Sequence, residues 1–240
     1  MPDRAAIVTG ASRGIGFALA ETLAQEGYAL TITARRPDTL EQTAERLRGQ
    51  GHEVQHVAAN MAEEEGVREV VARHRERFGR LDVLVNNAGV GIGAAAGEHQ
   101  TKHVDMQIDV NLRAIILFYR ECLDMLKAAG SEHRSALVVN LASMAGKSPQ
   151  PWLSVYSATK AAVVAYTQAM NKELSSDGIK SVAFAPGFVD TDMAEFIKGQ
   201  IPAEEMLRTS DITEALHFLL RVSPACLVPE IMFQRPGEAI

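Results

Sequence analysis

Positive charge is not in surplus in this chain of 240 residues, whose formal net charge is -6 at neutral pH. A nucleic-acid partner needs a basic face, so that class of function is disfavoured. Cysteine is scarce as well, with only Cys122 and Cys226 present. Far apart in the chain, they have neither metal-ligand spacing nor the look of a disulfide framework. A reducing compartment is the plain expectation, with no metal. No run approaches the roughly 18 apolar residues of a bilayer span, so no membrane association is expected. Met1-Pro2-Asp3-Arg4 runs straight into an apolar segment without a charged leader, an h-region or a cleavage site. The reading is a soluble cytoplasmic protein. Linkers rich in Pro, Gly or Ser, internal repeats and low-complexity tracts are also missing, which leaves one domain over residues 1–240.

What is present is alternation. Ala5–Thr9, Ala29–Ala34, Glu53–Ala58, Asp82–Asn86, Ala136–Leu141 and Lys180–Ala185 read as six strands, and Ile231–Gln234 as a weaker seventh. Amphipathic stretches near 15–26, 38–49, 63–78, 101–128, 155–176 and 211–221 read as helices. This order predicts an α/β fold, a Rossmann-type doubly wound parallel sheet of about seven strands with helices on both faces. The strands lack polar alternation, as expected of strands buried on both sides. The stretch 191–210 is irregular, with Gly199 and Pro202, and reads either as a small substrate lid or as a surface connection.

The first strand ends in Thr9-Gly10-Ala11-Ser12-Arg13-Gly14-Ile15-Gly16 and a helix follows. Gly10 permits the tight turn, while Gly14 and Gly16 let backbone approach a pyrophosphate and pack helix against sheet. The helix N-terminus offers free N–H groups to phosphate. The spacing is not a literal G-x-G-x-x-G. An acid about 20 residues on would bind a ribose 2′-hydroxyl. Here the second strand runs out into Arg35-Arg36. Guanidinium forks suit a 2′-phosphate, and Arg13 adds a third cation, so NADPH is favoured over NADH.

Tyr156 and Lys160 stand four apart at the start of a helix and share a face. An ammonium beside a phenol is expected to lower its pKa from about 10, which makes a usable acid–base group. Ser143 follows the fifth strand, at the carboxyl edge where ligands bind in doubly wound sheets.

In these features the chain resembles the short-chain dehydrogenase/reductase family over nearly its whole length. Thr9–Gly16 matches T-G-x-x-x-G-x-G and Asn86-Asn87-Ala88-Gly89 matches N-N-A-G. Ser143 precedes Tyr156 by the usual interval, Tyr156–Lys160 matches Y-x-x-x-K, and Pro186-Gly187 matches the turn after the sixth strand. The likeness is nearest to beta-ketoacyl carrier-protein reductases. It implies that Tyr156 is the general acid/base, that Lys160 lowers its pKa and binds the nicotinamide ribose, and that Ser143 holds the substrate oxygen. Asn111 would hold a water in the proton relay. Cofactor contacts would come from Gly10, Ser12, Arg13, Gly14, Ile15, Gly16, Arg35, Arg36, Asn60, Met61, Asn87, Ala88, Gly89, Tyr156, Lys160, Pro186, Gly187, Val189 and Thr191. The resemblance also implies a homodimer or homotetramer.

Three positions depart from the pattern. Asn60 replaces an Asp that contacts adenine, Ala114 replaces a glycine, and Phe233–Gly237 lacks the usual ending. The expected activity is NADPH-dependent interconversion of a ketone or 3-ketoacyl thioester and its alcohol. A non-catalytic NADPH sensor and an NAD-linked alcohol dehydrogenase are the alternatives. Gly91–Ala96, Met144, Ala145, Trp152, Phe188, Met193 and Phe196 flank the expected pocket and point to a moderately apolar small-molecule substrate.

Overall fold

A computed structural model describes residues 2–237. Seven strands form one parallel sheet: β1 (Ala5–Thr9), β2 (Ala29–Ala34), β3 (Val54–Ala58), β4 (Val83–Asn86), β5 (Ala136–Leu141), β6 (Ile179–Pro186) and β7 (Glu230–Phe233). Their spatial order is β3-β2-β1-β4-β5-β6-β7. The expected seven strands are all there, with ends shifted by a residue or so. Direction of winding reverses between β1 and β4, which opens a crevice at their carboxyl ends.

Successive strand residues point to opposite faces, so each central strand feeds two cores. Ile7, Leu84 and Val138 pack beneath α3 (Glu64–Phe78), α5 (Ala114–His133) and α6 (Ser154–Leu174). Val8, Val85 and Val139 pack beneath α1 (Gly14–Gln25), α2 (Pro37–Gly49) and α7 (Thr209–Arg221). Edge strand β7 is only partly covered. No helix among the described residues is long and apolar enough to cross a membrane.

One helix expected over 101–128 is built differently. α4 (Thr101–Ile108) passes through a π-helical turn at Asp109–Arg113 into α5, which continues to His133. The bulge surrounds Asn111, whose side chain makes bonds outside the helix. Such turns recur where a helix must re-aim a residue. Ala114 follows the bulge and is buried. The stretch 191–210 holds two short 3-10 turns, Asp192–Ile197 and Ala203–Glu205. Its two ends are tied together by a bridge between Val189 and Leu207, with Asp190 N–H donating to Leu207 O at 2.8 Å.

Candidate functional site

The crevice has a phosphate-like end and a reaction end. At the first, Gly10 and Gly14 take φ of +65° and +56°, which L side chains rarely adopt. A Cβ on Gly16 would lie 2.3 Å from both Gly10 O and Asn87 Nδ2, so this glycine lets α1 close onto the turn. Asn87 welds β1 to β4. Its Nδ2 donates to Thr9 O and Gly10 O at 2.9 and 3.1 Å, and the Asn87 and Ala88 N–H groups donate to Thr9 Oγ1 at 3.0 and 2.9 Å. No side chain caps the start of α1, which leaves its N–H groups directed at the crevice. Thr191 stands opposite, its Cγ2 3.3 Å from where a Gly14 Cβ would be. Arg13 pairs with Asp192 at 2.8 Å across the same opening.

Arg35 and Arg36 follow β2 in exposed positions, and no ion pair engages either among the described residues. Asn60 Oδ1 accepts from Ala62 N–H at 3.2 Å and its Nδ2 donates to Glu63 at 2.9 Å, so this side chain shapes the entry to α3. The Met61 and Val189 side chains are buried in the two cores, which leaves only their backbone to face a ligand.

At the reaction end, Ser143 leaves β5 with an extended backbone and its Oγ accepts from Ala145 N–H at 3.1 Å. The same hydroxyl donates to Pro186 O at 3.4 Å and lies near enough to the Tyr156 phenol to act on its acidity. Lys160, one turn along α6 from Tyr156, is only 4% exposed and donates to Leu141 O at 2.6 Å. Its Nζ is 5.7 Å from the centre of the Tyr156 ring. Asn111 anchors the floor. Its Oδ1 accepts from Val90 N–H at 2.8 Å, and its Nδ2 donates to Val90 O at 2.9 Å and Thr159 Oγ1 at 3.1 Å. A Cβ on Gly89 would be 3.4 Å from both Asn111 Oδ1 and Lys160 Nζ, and one on Gly91 would be 3.4 Å from the Tyr156 ring.

The protonation balance differs from the expected one. Burial raises the Tyr156 pKa above its ordinary 10, and the Ser143 hydrogen bond pulls it back only in part. Lys160 does not lower it here, because its Nζ is turned to Leu141 O. Burial instead lowers the lysine itself to about 8, with no carboxylate beside it to hold the charge. Tyr156 is therefore a neutral phenol near pH 7.

The structure brings Ser143, Tyr156, Lys160, Asn111 and Gly89, all named from the sequence, together in one place. Sequence reasoning missed Thr159, the Val90 backbone and Leu141 O, which hold the set in position. Thr159 lies inside the Y-x-x-x-K stretch, but nothing in its spacing says that it reaches Asn111. Asp192 was missed too, since only folding brings it to Arg13.

A doubly wound sheet with a serine–tyrosine–lysine cluster beyond its carboxyl edge defines a class of crevice enzyme. The short chain dehydrogenase family profile matches residues 4–201, and this chain belongs to that family as an oxidoreductase. It is 34% identical over 226 residues to a 3-oxoacyl-[acyl-carrier-protein] reductase of Staphylococcus epidermidis, covering 90% of this chain and 91% of the relative. An alcohol dehydrogenase from the archaeon Thermococcus sibiricus, solved with 5-hydroxy-NADP, superposes with a TM-score of 0.86 at 33% identity, covering 98% of this chain and 99% of that one. A 3-ketoacyl-(acyl-carrier-protein) reductase from Brucella melitensis, solved with NADH, superposes with a TM-score of 0.89 at 29% identity, covering 100% and 99%.

Proposed function

We propose that this protein is an NADPH-dependent carbonyl reductase that converts a ketone to an alcohol, and runs in reverse when the alcohol is in excess. The observation that carries the reading is that Tyr156 and a buried Lys160, its Nζ 5.7 Å from the centre of the phenol ring, stand with Ser143 beyond the carboxyl edge of β5. The crevice fits a dinucleotide. An uncapped α1 N-terminus and the Gly10 and Gly14 turn suit a pyrophosphate, and unpaired Arg35 and Arg36 suit a 2′-phosphate. Lys160 would hold the ribose hydroxyls near Tyr156. When bound, the nucleotide supplies the hydride.

The chain's own residues supply the rest. Ser143 Oγ orients the carbonyl oxygen. Tyr156 Oη donates a proton to that oxygen as negative charge develops on it, and the two hydroxyls together stabilise the transition state. The phenolate left on Tyr156 is reprotonated from solvent by way of the Lys160 ammonium. Asn111 is a positioning residue that locks the 87–93 segment to α6 through Val90 and Thr159. Residues 191–210 serve as a lid, since Asp192 and Phe196 lie over the phosphate loop and Trp152. We also propose a homo-oligomer, with Ile108 and Ile116 exposed along α4 and α5 as part of the contact. Light scattering on the eluted protein checks that assembly.

The NADH-bound Brucella relative keeps an NAD-linked reading in play. Titration of the purified protein with each nucleotide, followed by a carbonyl panel, decides between them. NADPH should bind at least about tenfold tighter than NADH and be consumed with a ketone present. Equal affinities would favour the NAD-linked enzyme, and binding without turnover would favour a sensor.

A further inference from the structure

We propose that this site selects neutral, apolar ketones and turns away substrates delivered on anionic carriers. The proposal rests on the carbonyl-reductase reading and names its substrate class. Three loops frame Ser143 and Tyr156: residues 91–100, 143–153 and 188–205. Where they meet stands an aromatic wall. Trp152 adopts φ of +57°, a conformation that bulky residues rarely take. Its ring lies over Gly93, where a Cβ would come within 2.0 Å of Trp152 Cε3, and its carbonyl accepts from Ala94 N–H at 2.8 Å. Phe196 meets Trp152 edge to face at 5.9 Å, and Phe188 meets Phe196 at 6.3 Å. Trp152 is 51% exposed and Phe196 59%. Large apolar surface is therefore open to solvent beside the Ser143 and Tyr156 hydroxyls, joined to them by the segment at Gly91, where a Cβ would lie 3.4 Å from the Tyr156 ring.

Acidic residues outnumber basic ones on these loops, and while Asp190, Asp192, Glu195 and Glu205 have cationic partners, no ion pair engages Glu98 or Glu204 among the described residues. The three loops carry Glu98, Asp190, Asp192, Glu195, Glu204 and Glu205, against Lys147 and Lys198. Neither lysine is left for an incoming anion. Lys198 lies between Asp190 at 3.2 Å and Glu195 at 2.9 Å, and Lys147 pairs with Glu230 at 3.0 Å. Arg13 holds Asp192, and its alternative partner is a cofactor phosphate. A phosphate-bearing thioester carrier would bring like charge to this rim, which disfavours association, while a neutral ketone pays no such cost.

The test presents one reacting group on different carriers. The N-acetylcysteamine and coenzyme A thioesters of 3-oxobutanoate are compared, as are acetophenone and its 4-carboxylate. At low salt the neutral member of each pair should show about tenfold higher kcat/KM, and the gap should narrow as salt screens the rim. Reversal of the exposed charge in Glu98→Lys should lift the anionic substrates and leave the neutral ones unchanged. Trp152 is the only tryptophan in the chain, so its fluorescence reports on the wall without turnover. Acetophenone should quench it more than the carboxylate does. Equal or reversed preference within the pairs, or fluorescence indifferent to acetophenone, overturns the inference. Failure of every ketone with both nucleotides removes the carbonyl-reductase reading, and this one with it.

Discussion

The two halves of the sheet anchor their polar interiors differently. Beneath β2, His74 is fully buried, with Nδ1 2.8 Å from Thr31 Oγ1 and Nε2 2.8 Å from Arg80 O. Arg80 O can only accept, so the ring donates from Nε2, and the Thr31 hydroxyl, which accepts from Gln55 at 3.0 Å, donates its own hydrogen to Nδ1. That scheme requires a neutral imidazole, and burial pushes its pKa down to about 4. Across β4, β5 and β6 the buried groups are amides and hydroxyls. Asn86 donates to Asn140, which donates to Tyr119 and Thr167, and Tyr119 donates to Ser181. None of these titrates near neutral pH; burial moves the Tyr119 phenol further upward. The reaction half therefore rests on a frame indifferent to pH, so that Tyr156 and Lys160 are its titrating parts. The phosphate half rests on an acid-sensitive one.

The sharpest break in this comparison is Tyr156→Phe, which removes the donor and keeps the ring. Turnover should fall about a thousandfold with nucleotide affinity and thermal midpoint preserved. A variant that keeps its rate would sink the assignment. Next in size is acid unfolding. His74 has a folded pKa below its unfolded value, so between those values the unfolded state binds more protons. Its stabilisation is complete above about pH 6.5, is lost as pH falls toward 4, and amounts to about 3 kcal/mol. Denaturant titrations from pH 7 to 4 should be flatter over that window for His74→Gln than for the parent; parallel curves would contradict the buried neutral ring. At the phosphate end, Arg35→Ser/Arg36→Ser should weaken NADPH binding by about ten- to a hundredfold and leave NADH alone, the worth of a charge-assisted contact. Loss of both affinities together would mean a structural role. The smallest effect concerns Lys160. Free-enzyme nucleotide affinity should decline as pH rises through about 8 and the ammonium is lost. Affinity constant to pH 9 would place the lysine's charge elsewhere.

The sheet was legible because parallel strands buried on both faces must be continuous apolar runs, and each of the six stronger ones was read within a residue or two. The reaction cluster was legible in part because helical spacing alone puts Tyr156 and Lys160 on one face. The π turn at Asp109–Arg113 was not, since it is set by what Asn111 reaches across the crevice rather than by local propensity. The direction of the Tyr156 shift was not legible either, because a charge four residues away matters only if its side chain points there.

By itself, then, the amino-acid order determined the layers, the glycine turn, the arginines after β2 and the sharing of one helix face by Tyr156 and Lys160, all properties of short-range spacing and residue chemistry. Only tertiary packing decided that Lys160 turns to Leu141 O, that Trp152 is forced over Gly93, and that Asp192 meets Arg13. These are contacts between distant segments, and burial, not sequence distance, sets their electrostatics.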